Sequence, residues 1–183
     1  MPPFTKPTTK KLALKLALYG PAGSGKTFTS LLLAEGLSAG KKVALVDTEA
    51  GSAFYAQTVP AREHHPQAFD FEVLSTRSVT EVLAAISTLE PAEYGVLVID
   101  SITHLWDRCL DIPASQRTRQ GTIPFPMWAA IKKPYRALMD ELLRSPLHVL
   151  ICGRQAVDYG VDETTGAVTS RGYRLRAEGE TGY

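Results

Sequence analysis

The chain has 183 residues, 44% of them apolar and 21% charged, and its formal net charge is +1. That length suits one α/β domain with a sizeable core rather than two. The composition is that of a soluble globular protein, and no apolar run approaches the length of a membrane span.

Charge is unevenly distributed: residues 1–26 carry five lysines and no acid, residues 27–100 four basic and ten acidic residues, and residues 101–183 eleven basic and nine acidic ones. Residues 1–11, rich in proline, threonine and lysine, bury little surface and read as a mobile basic arm, leaving residues 12–183 as a single domain. The start lacks the apolar core of a signal peptide, and Cys109 and Cys152 fit no metal or redox spacing. A reducing, cytoplasmic setting with two unpaired thiols is expected.

Residues 12–19, Leu-Ala-Leu-Lys-Leu-Ala-Leu-Tyr, have strand length and lead into Gly20-Pro21-Ala22-Gly23-Ser24-Gly25-Lys26-Thr27. This fits G-x-x-x-x-G-K-[ST], in which glycines let successive backbone N–H groups turn towards a phosphate, the lysine reaches the β/γ-phosphates and the threonine hydroxyl binds magnesium. The following run from Phe28 reads as a helix, so the strand, loop and helix order that the motif needs is present. Residues 20–28 are therefore the expected nucleotide-binding segment, with ATP or ADP and Mg2+ as ligands. The helix is expected to close near Gly40.

Residues 43–46, Val-Ala-Leu-Val, read as a buried strand delivering Asp47-Thr48-Glu49 at its carboxyl end, the edge at which open α/β sheets bind ligands. Glu49 is the candidate catalytic base, alongside Lys26. The His64-His65 pair has no third ligand at a recognisable spacing and reads as solvated loop. Residues 69–74 alternate as a half-buried strand. Ser78-Val79-Thr80-Glu81 has the form of a capping box, opening a helix whose apolar face is Val79, Val82, Leu83, Ile86 and Leu89.

Residues 95–101, Gly-Val-Leu-Val-Ile-Asp-Ser, form a strand apolar on both faces that ends in Asp100. This is a Walker B pattern, and Thr27 and Asp100 are expected to share the metal. Hydrolases of the AAA+ type usually place a second acid directly after this aspartate. Ser101 stands there instead, which makes Glu49 the best-placed base.

Residues 104–126 read as a long connection, a length often functional. Arg117 and Arg119 begin a stretch of basic and aromatic residues suited to a single strand of nucleic acid, or to a solvated loop. Trp128 reads as core in a helix that Pro134 should kink or restart. Residues 148–152 are a further buried strand, presenting the sensor candidates Arg154 and Gln155. Residues 157–175 read as a β-hairpin turning at 164–166, whose Arg171 and Arg174 face DNA, a neighbouring subunit or solvent.

The phosphate loop, Val46-Asp47-Thr48-Glu49, and Leu97-Val98-Ile99-Asp100-Ser101 together resemble the RecA-like recombinase ATPases. That resemblance implies a RecA-like P-loop core, a mostly parallel sheet with helices on both faces. It also implies that Glu49 activates water, Asp100 serves magnesium, Arg154 or Gln155 senses the nucleotide and Tyr55 packs on adenine. Residues 174–183, with Thr103-His104-Leu105-Trp106, resemble the compact phage-encoded members, some of which assist single-strand annealing. The implied function is a magnesium-dependent ATPase acting on single-stranded DNA in phage recombination or replication, as a homo-oligomeric ring or filament with no membrane, in the host cytoplasm. A small-molecule kinase and an ATP-gated protein-binding module use the same loop and stand as alternatives.

Overall fold

The computed structural model describes residues 12–59, 63, 65–161 and 168–175; of residues 156–161 and 169–175 it describes the backbone alone. The expected arm at 1–11, the hairpin turn at 164–166 and the tail at 176–183 lie outside the described residues.

The apolar runs become strands. These are β1 (Lys15–Gly20), β2 (Lys42–Asp47), β3 (Glu72–Ser75), β4 (Tyr94–Asp100), β5 (His148–Val161) and β6 (Val168–Leu175). The helices are α1 (Lys26–Leu37), α2 (Val79–Ile86), α3 (Ile102–Cys109) and α4 (Trp128–Arg144). The sheet runs β1-β5-β4-β2-β3 with every one of these pairings parallel, and β6 adds to β5 antiparallel.

Period-two alternation divides the sheet's two faces. Ala44, Val46, Leu97, Ile99, Val149 and Ile151 point to one side, where they meet Val79, Val82 and Ile86 of α2, Ile102, Leu105 and Trp106 of α3, and Tyr135, Leu138 and Leu142 of α4. Val43, Leu45, Val96, Val98 and Leu150 point to the other and pack with Ala34 of α1. Helices therefore cover both faces, as a parallel sheet requires. Gly95 marks where α1's far end presses on the sheet, since a Cβ there would lie 2.6 Å from the Ser38 carbonyl oxygen.

The capping box forms, with Ser78 Oγ accepting from the Glu81 N–H at 3.3 Å, and Val79, Val82 and Ile86 are buried as the periodicity predicts. Helix α1 stops three residues short of Gly40: its C-cap is Ser38, and Gly40, at φ 81°, turns the chain into β2.

Three expectations are corrected. The 104–126 segment is not all connection, because α3 occupies its start, held by Leu105 and Trp106 against the sheet. Its apolar residues, Ile102, Leu105, Trp106 and Cys109, keep helical spacing, a pattern that the loop reading passes over. Of the two outcomes expected at Pro134, a kink or a restart, the restart does not occur: α4 runs unbroken from Trp128 to Arg144. Packing of Ile131, Tyr135, Leu138 and Leu142 outweighs the hydrogen bond lost at proline. His65 is not solvated: its ring stacks on Phe69, centroids 4.1 Å apart, and its Nε2 lies 3.0 Å from Glu35 Oε2. Trp128, expected in the core, packs against it half-buried.

Cys109 and Cys152 are both free, and burial is the main cause that pushes the Cys152 thiol up to about 12. Among the described residues no helix is long and apolar enough to cross a membrane.

Candidate functional site: one edge of the sheet

Strand register decides which residues meet. Gly20 pairs with Arg154, Asp100 with Cys152, and Asp47 with Asp100, so the carboxyl ends of β1, β4 and β2 lie level with the middle of β5. β5 lies between β1 and β4, which sets Gly153 and Arg154, in the middle of β5, beside the phosphate loop.

The loop takes its shape from two glycines. Gly23 and Gly25 adopt φ of 75° and 81°, a left-handed conformation that costs glycine least. A Cβ on Gly20 would sit 2.5 Å from Ser24 Oγ, so that position also demands the smallest residue. Gly25 is the N-cap of α1 and offers no side-chain cap, which leaves the first-turn N–H groups facing the loop for an anion. The Lys26 ammonium donates to the Gly20 and Pro21 carbonyls at 3.0 and 2.8 Å, within the loop it is expected to serve.

Thr27 Oγ1 donates to Asp100 Oδ2 across 73 residues of sequence, bringing together the two residues expected to hold the metal. Asp100 is 8% exposed, and its burial is the main cause holding its carboxyl above the usual range. A desolvated carboxylate next to a hydroxyl, both oxygen donors, fits a hard divalent cation whose remaining ligands are phosphate oxygens and water. Among the described residues no group of three or more His, Cys, Asp or Glu side chains forms a protein-only metal cage.

The turn after β2 is built by Asp47. Its carboxylate accepts from the backbone N–H groups of Glu49 and Ser52, both at 2.9 Å, and Ala50 takes φ 57°. Burial pushes the Asp47 carboxyl up, but hydrogen bonds from Ser52, Glu49 and Ala50 outweigh it, and the group titrates below its ordinary value. Thr48 then bridges to the next strand: its Oγ1 accepts from the Ser101 N–H at 2.7 Å and lies 2.9 Å from His104 Nδ1. Arg77 Nε donates to the Thr48 carbonyl at 2.8 Å.

Glu49 emerges from this turn and meets Arg154 in a two-pronged ion pair, Nε to Oε1 at 3.0 Å and Nη2 to Oε2 at 2.7 Å. The Arg154 hydrogen bond is the main cause holding the Glu49 carboxyl below its ordinary range. His104 Nδ1 lies 3.8 Å from Glu49 Oε1. The Arg154 backbone N–H donates to Thr103 Oγ1 at 2.9 Å, tying β5 to α3.

Of the two sensor candidates, Arg154 reaches Glu49, whereas Gln155 begins the antiparallel pairing, opposite Leu175. Tyr55 and Phe28 come together, ring centroids 6.3 Å apart, in an aromatic group with Phe54 and Phe69 at the start of α1. Arg117 donates to the Leu110 and Gly121 carbonyls, both at 3.1 Å, so it holds the loop that contains it; Arg119 is exposed. Arg171 and Arg174 belong to β6, and their side chains lie outside the described residues.

Sequence reasoning assigned no role to Thr48, Thr103 or His104. A threonine and a histidine near strand ends carry no motif of their own, and only the pairing of β2 with β4 brings them together.

The phosphate loop after β1, the aspartate ending β4 and a parallel sheet with β5 inserted between those two strands define a RecA-like P-loop core. A family model described as an AAA domain matches residues 12–181, and the chain belongs to that family. A DNA repair and recombination protein RadB from Thermococcus gammatolerans is 38% identical over 93 residues, covering 47% of this chain and 41% of that protein. The chain thus spans less than half the length of that curated relative. A crystal structure of the RadB recombinase aligns over 84% of this chain and 66% of that one, with 24% identity and a TM-score of 0.49.

Proposed function

We propose that the protein is a magnesium-dependent ATPase of RecA-like type that couples ATP binding and hydrolysis to single-stranded DNA binding, in recombination or replication of the kind phages carry out. The observation that carries this reading is the placement of Asp100, at the end of β4, and Glu49, in the turn after the adjacent β2, at the sheet edge that also bears the phosphate loop. The likeness to a recombination protein supports the DNA half of the reading.

In this reading residues 20–28 hold the phosphates, with Lys26 on the β/γ-phosphates. Thr27 and Asp100 hold magnesium, which when bound offsets charge on the transferred phosphoryl group. Glu49 orients the attacking water and takes its proton. Arg154 releases Glu49 as it turns to the new charge of a γ-phosphate. Phe28 and Tyr55 flank the adenine side, and Arg119 with Arg171 and Arg174 contacts DNA phosphates. The site is completed in a homo-oligomer in the cytoplasm.

Phosphate release from ATP, measured with magnesium and with or without oligo-dT, tests the reading. Stimulation by oligo-dT supports it. ATP hydrolysis indifferent to DNA removes the recombination half, and transfer of phosphate to an added nucleoside monophosphate replaces hydrolysis with kinase chemistry.

A further inference from the structure

Hydrolysis of ATP near neutral pH releases a proton, and that proton has to leave the base. Glu49 is two-thirds buried. Its strongest partner, Arg154, is a guanidinium with no lone pair to receive a proton. His104 differs: its Nδ1 lies 3.8 Å from Glu49 Oε1, and the residue is among those that line an open cleft of about 580 Å³.

Its tautomer follows from the bonds of Thr48. The Thr48 hydroxyl already accepts from the Ser101 N–H at 2.7 Å, so its own hydrogen goes either to the Ser101 carbonyl at 3.2 Å or to His104 Nδ1 at 2.9 Å. The shorter contact makes Nδ1 the acceptor and leaves the proton on Nε2. Burial is the main cause lowering the His104 pKa, so the ring is neutral at pH 7 and Nδ1 carries a lone pair next to Glu49.

We propose that His104 is a positioning residue for Glu49 and the outlet for its proton, passing the proton of the hydrolytic water from the Glu49 carboxyl into the cleft lined by Arg77, Asp107 and Leu110. The proposal rests on the hydrolytic reading of Glu49. The water O–H bond breaks as its oxygen bonds to the γ-phosphorus, the bond from that phosphorus to the bridging oxygen breaks with its electron pair leaving on ADP, and the proton goes to Glu49. Once Arg154 turns away, the carboxyl closes about 1 Å on Nδ1, to hydrogen-bond reach. The Thr48 hydroxyl turns its hydrogen from Nδ1 to the Ser101 carbonyl, which frees the Nδ1 lone pair; Nδ1 then takes the proton, Nε2 releases its own to solvent, and Glu49 is again a carboxylate. No proton or electron is left over.

The charged groups facing the ring are Glu49 from the end of β2, Arg154 from β5, Arg77 from the segment after β3, and Asp107 from the next turn of α3. The Arg108–Asp111 pair and Arg117 line the cleft further out. Glu49 and Asp107 favour protonation of the ring, whereas burial, Arg154 and Arg77 oppose it.

The test is steady-state ATP hydrolysis by the full chain, with magnesium and oligo-dT, from pH 5 to 9. In the parent, kcat is expected to fall on the acid side as His104 protonates and loses its acceptor. His104→Gln is expected to lower kcat about tenfold or more with KM little changed, and to lose that acid limb. In His104→Gly, free imidazole is expected to restore turnover in proportion to its neutral form, because the cleft is open to it. A His104→Gln variant with the parent's kcat and acid limb overturns the proposal. So does a folded His104→Gly variant that imidazole does not rescue. A parent that hydrolyses no ATP removes the hydrolytic reading itself, an outcome distinct from either.

Discussion

Arg154 grips Glu49 with both prongs of its guanidinium across 105 residues of sequence, at 3.0 and 2.7 Å. The pair joins the middle of β5 to the turn after β2, with β4 between them. Planar, two-point recognition of this kind fixes orientation as well as charge, which lysine does not reproduce.

The ion pair has a pH signature. The folded pKa of Glu49 lies below its ordinary value of 4.5, with the Arg154 hydrogen bond as the main cause. Its contribution to stability is therefore present above about that value and lost as pH falls through the folded pKa. Between about pH 5 and pH 3 the parent should lose denaturant midpoint more steeply than Glu49→Gln, whose side chain does not ionise. Parallel curves for the two proteins in urea titrations count against the pair as a stabilising contact.

Glu49→Gln keeps shape and loses basicity. Nucleotide binding is expected to stay near the parent's while turnover falls about a hundredfold or more. Fluorescent-nucleotide binding and phosphate release, measured on the same preparation, separate the two. Turnover at the parent rate removes Glu49 from the role of base.

Lys26→Ala removes an ammonium that already points along the phosphate loop. Loss of a charged hydrogen-bond donor predicts a nucleotide affinity lower by about tenfold or more, from a typical 1.5–3 kcal/mol. Titration with the fluorescent nucleotide reads this directly.

Gly95→Ala places a methyl group 2.6 Å from a backbone oxygen of Ser38, where no side chain can swing aside. Overpacking of this kind costs about 1–3 kcal/mol. A lower urea midpoint at unchanged slope is the expected result. The same substitution at the exposed Gly36, where nothing lies within 4 Å, provides the contrast.

Arg117 and Arg119, equal candidates in the sequence, are expected to separate. Arg119→Gln should lower DNA affinity and reduce the slope of log affinity against log salt by about 1. Arg117→Gln should instead speed amide exchange in residues 110–121, because it removes the bonds to the Leu110 and Gly121 carbonyls.

The phosphate loop and the Walker B strand were legible because their chemistry is local. Gly23, Gly25, Lys26 and Thr27 act through spacing alone, and residues 96–99 announce a doubly covered strand by being apolar on both faces. The reading failed at α3, although Ile102, Leu105, Trp106 and Cys109 keep helical spacing over eight residues, as many as α2 has. It failed also at His65, where stacking on Phe69 is a contact that no pattern encodes.

By itself, then, the sequence determined a phosphate cradle, a mostly parallel α/β sheet, and the two residues, Thr27 and Asp100, that meet beside the cradle. Tertiary structure alone decided that Arg154 rather than Gln155 reaches Glu49, and that Thr48 and His104 stand around the same carboxylate. The reason is register: which side chain meets Glu49 depends on how β2, β4 and β5 align, and that alignment is set by packing across the whole sheet.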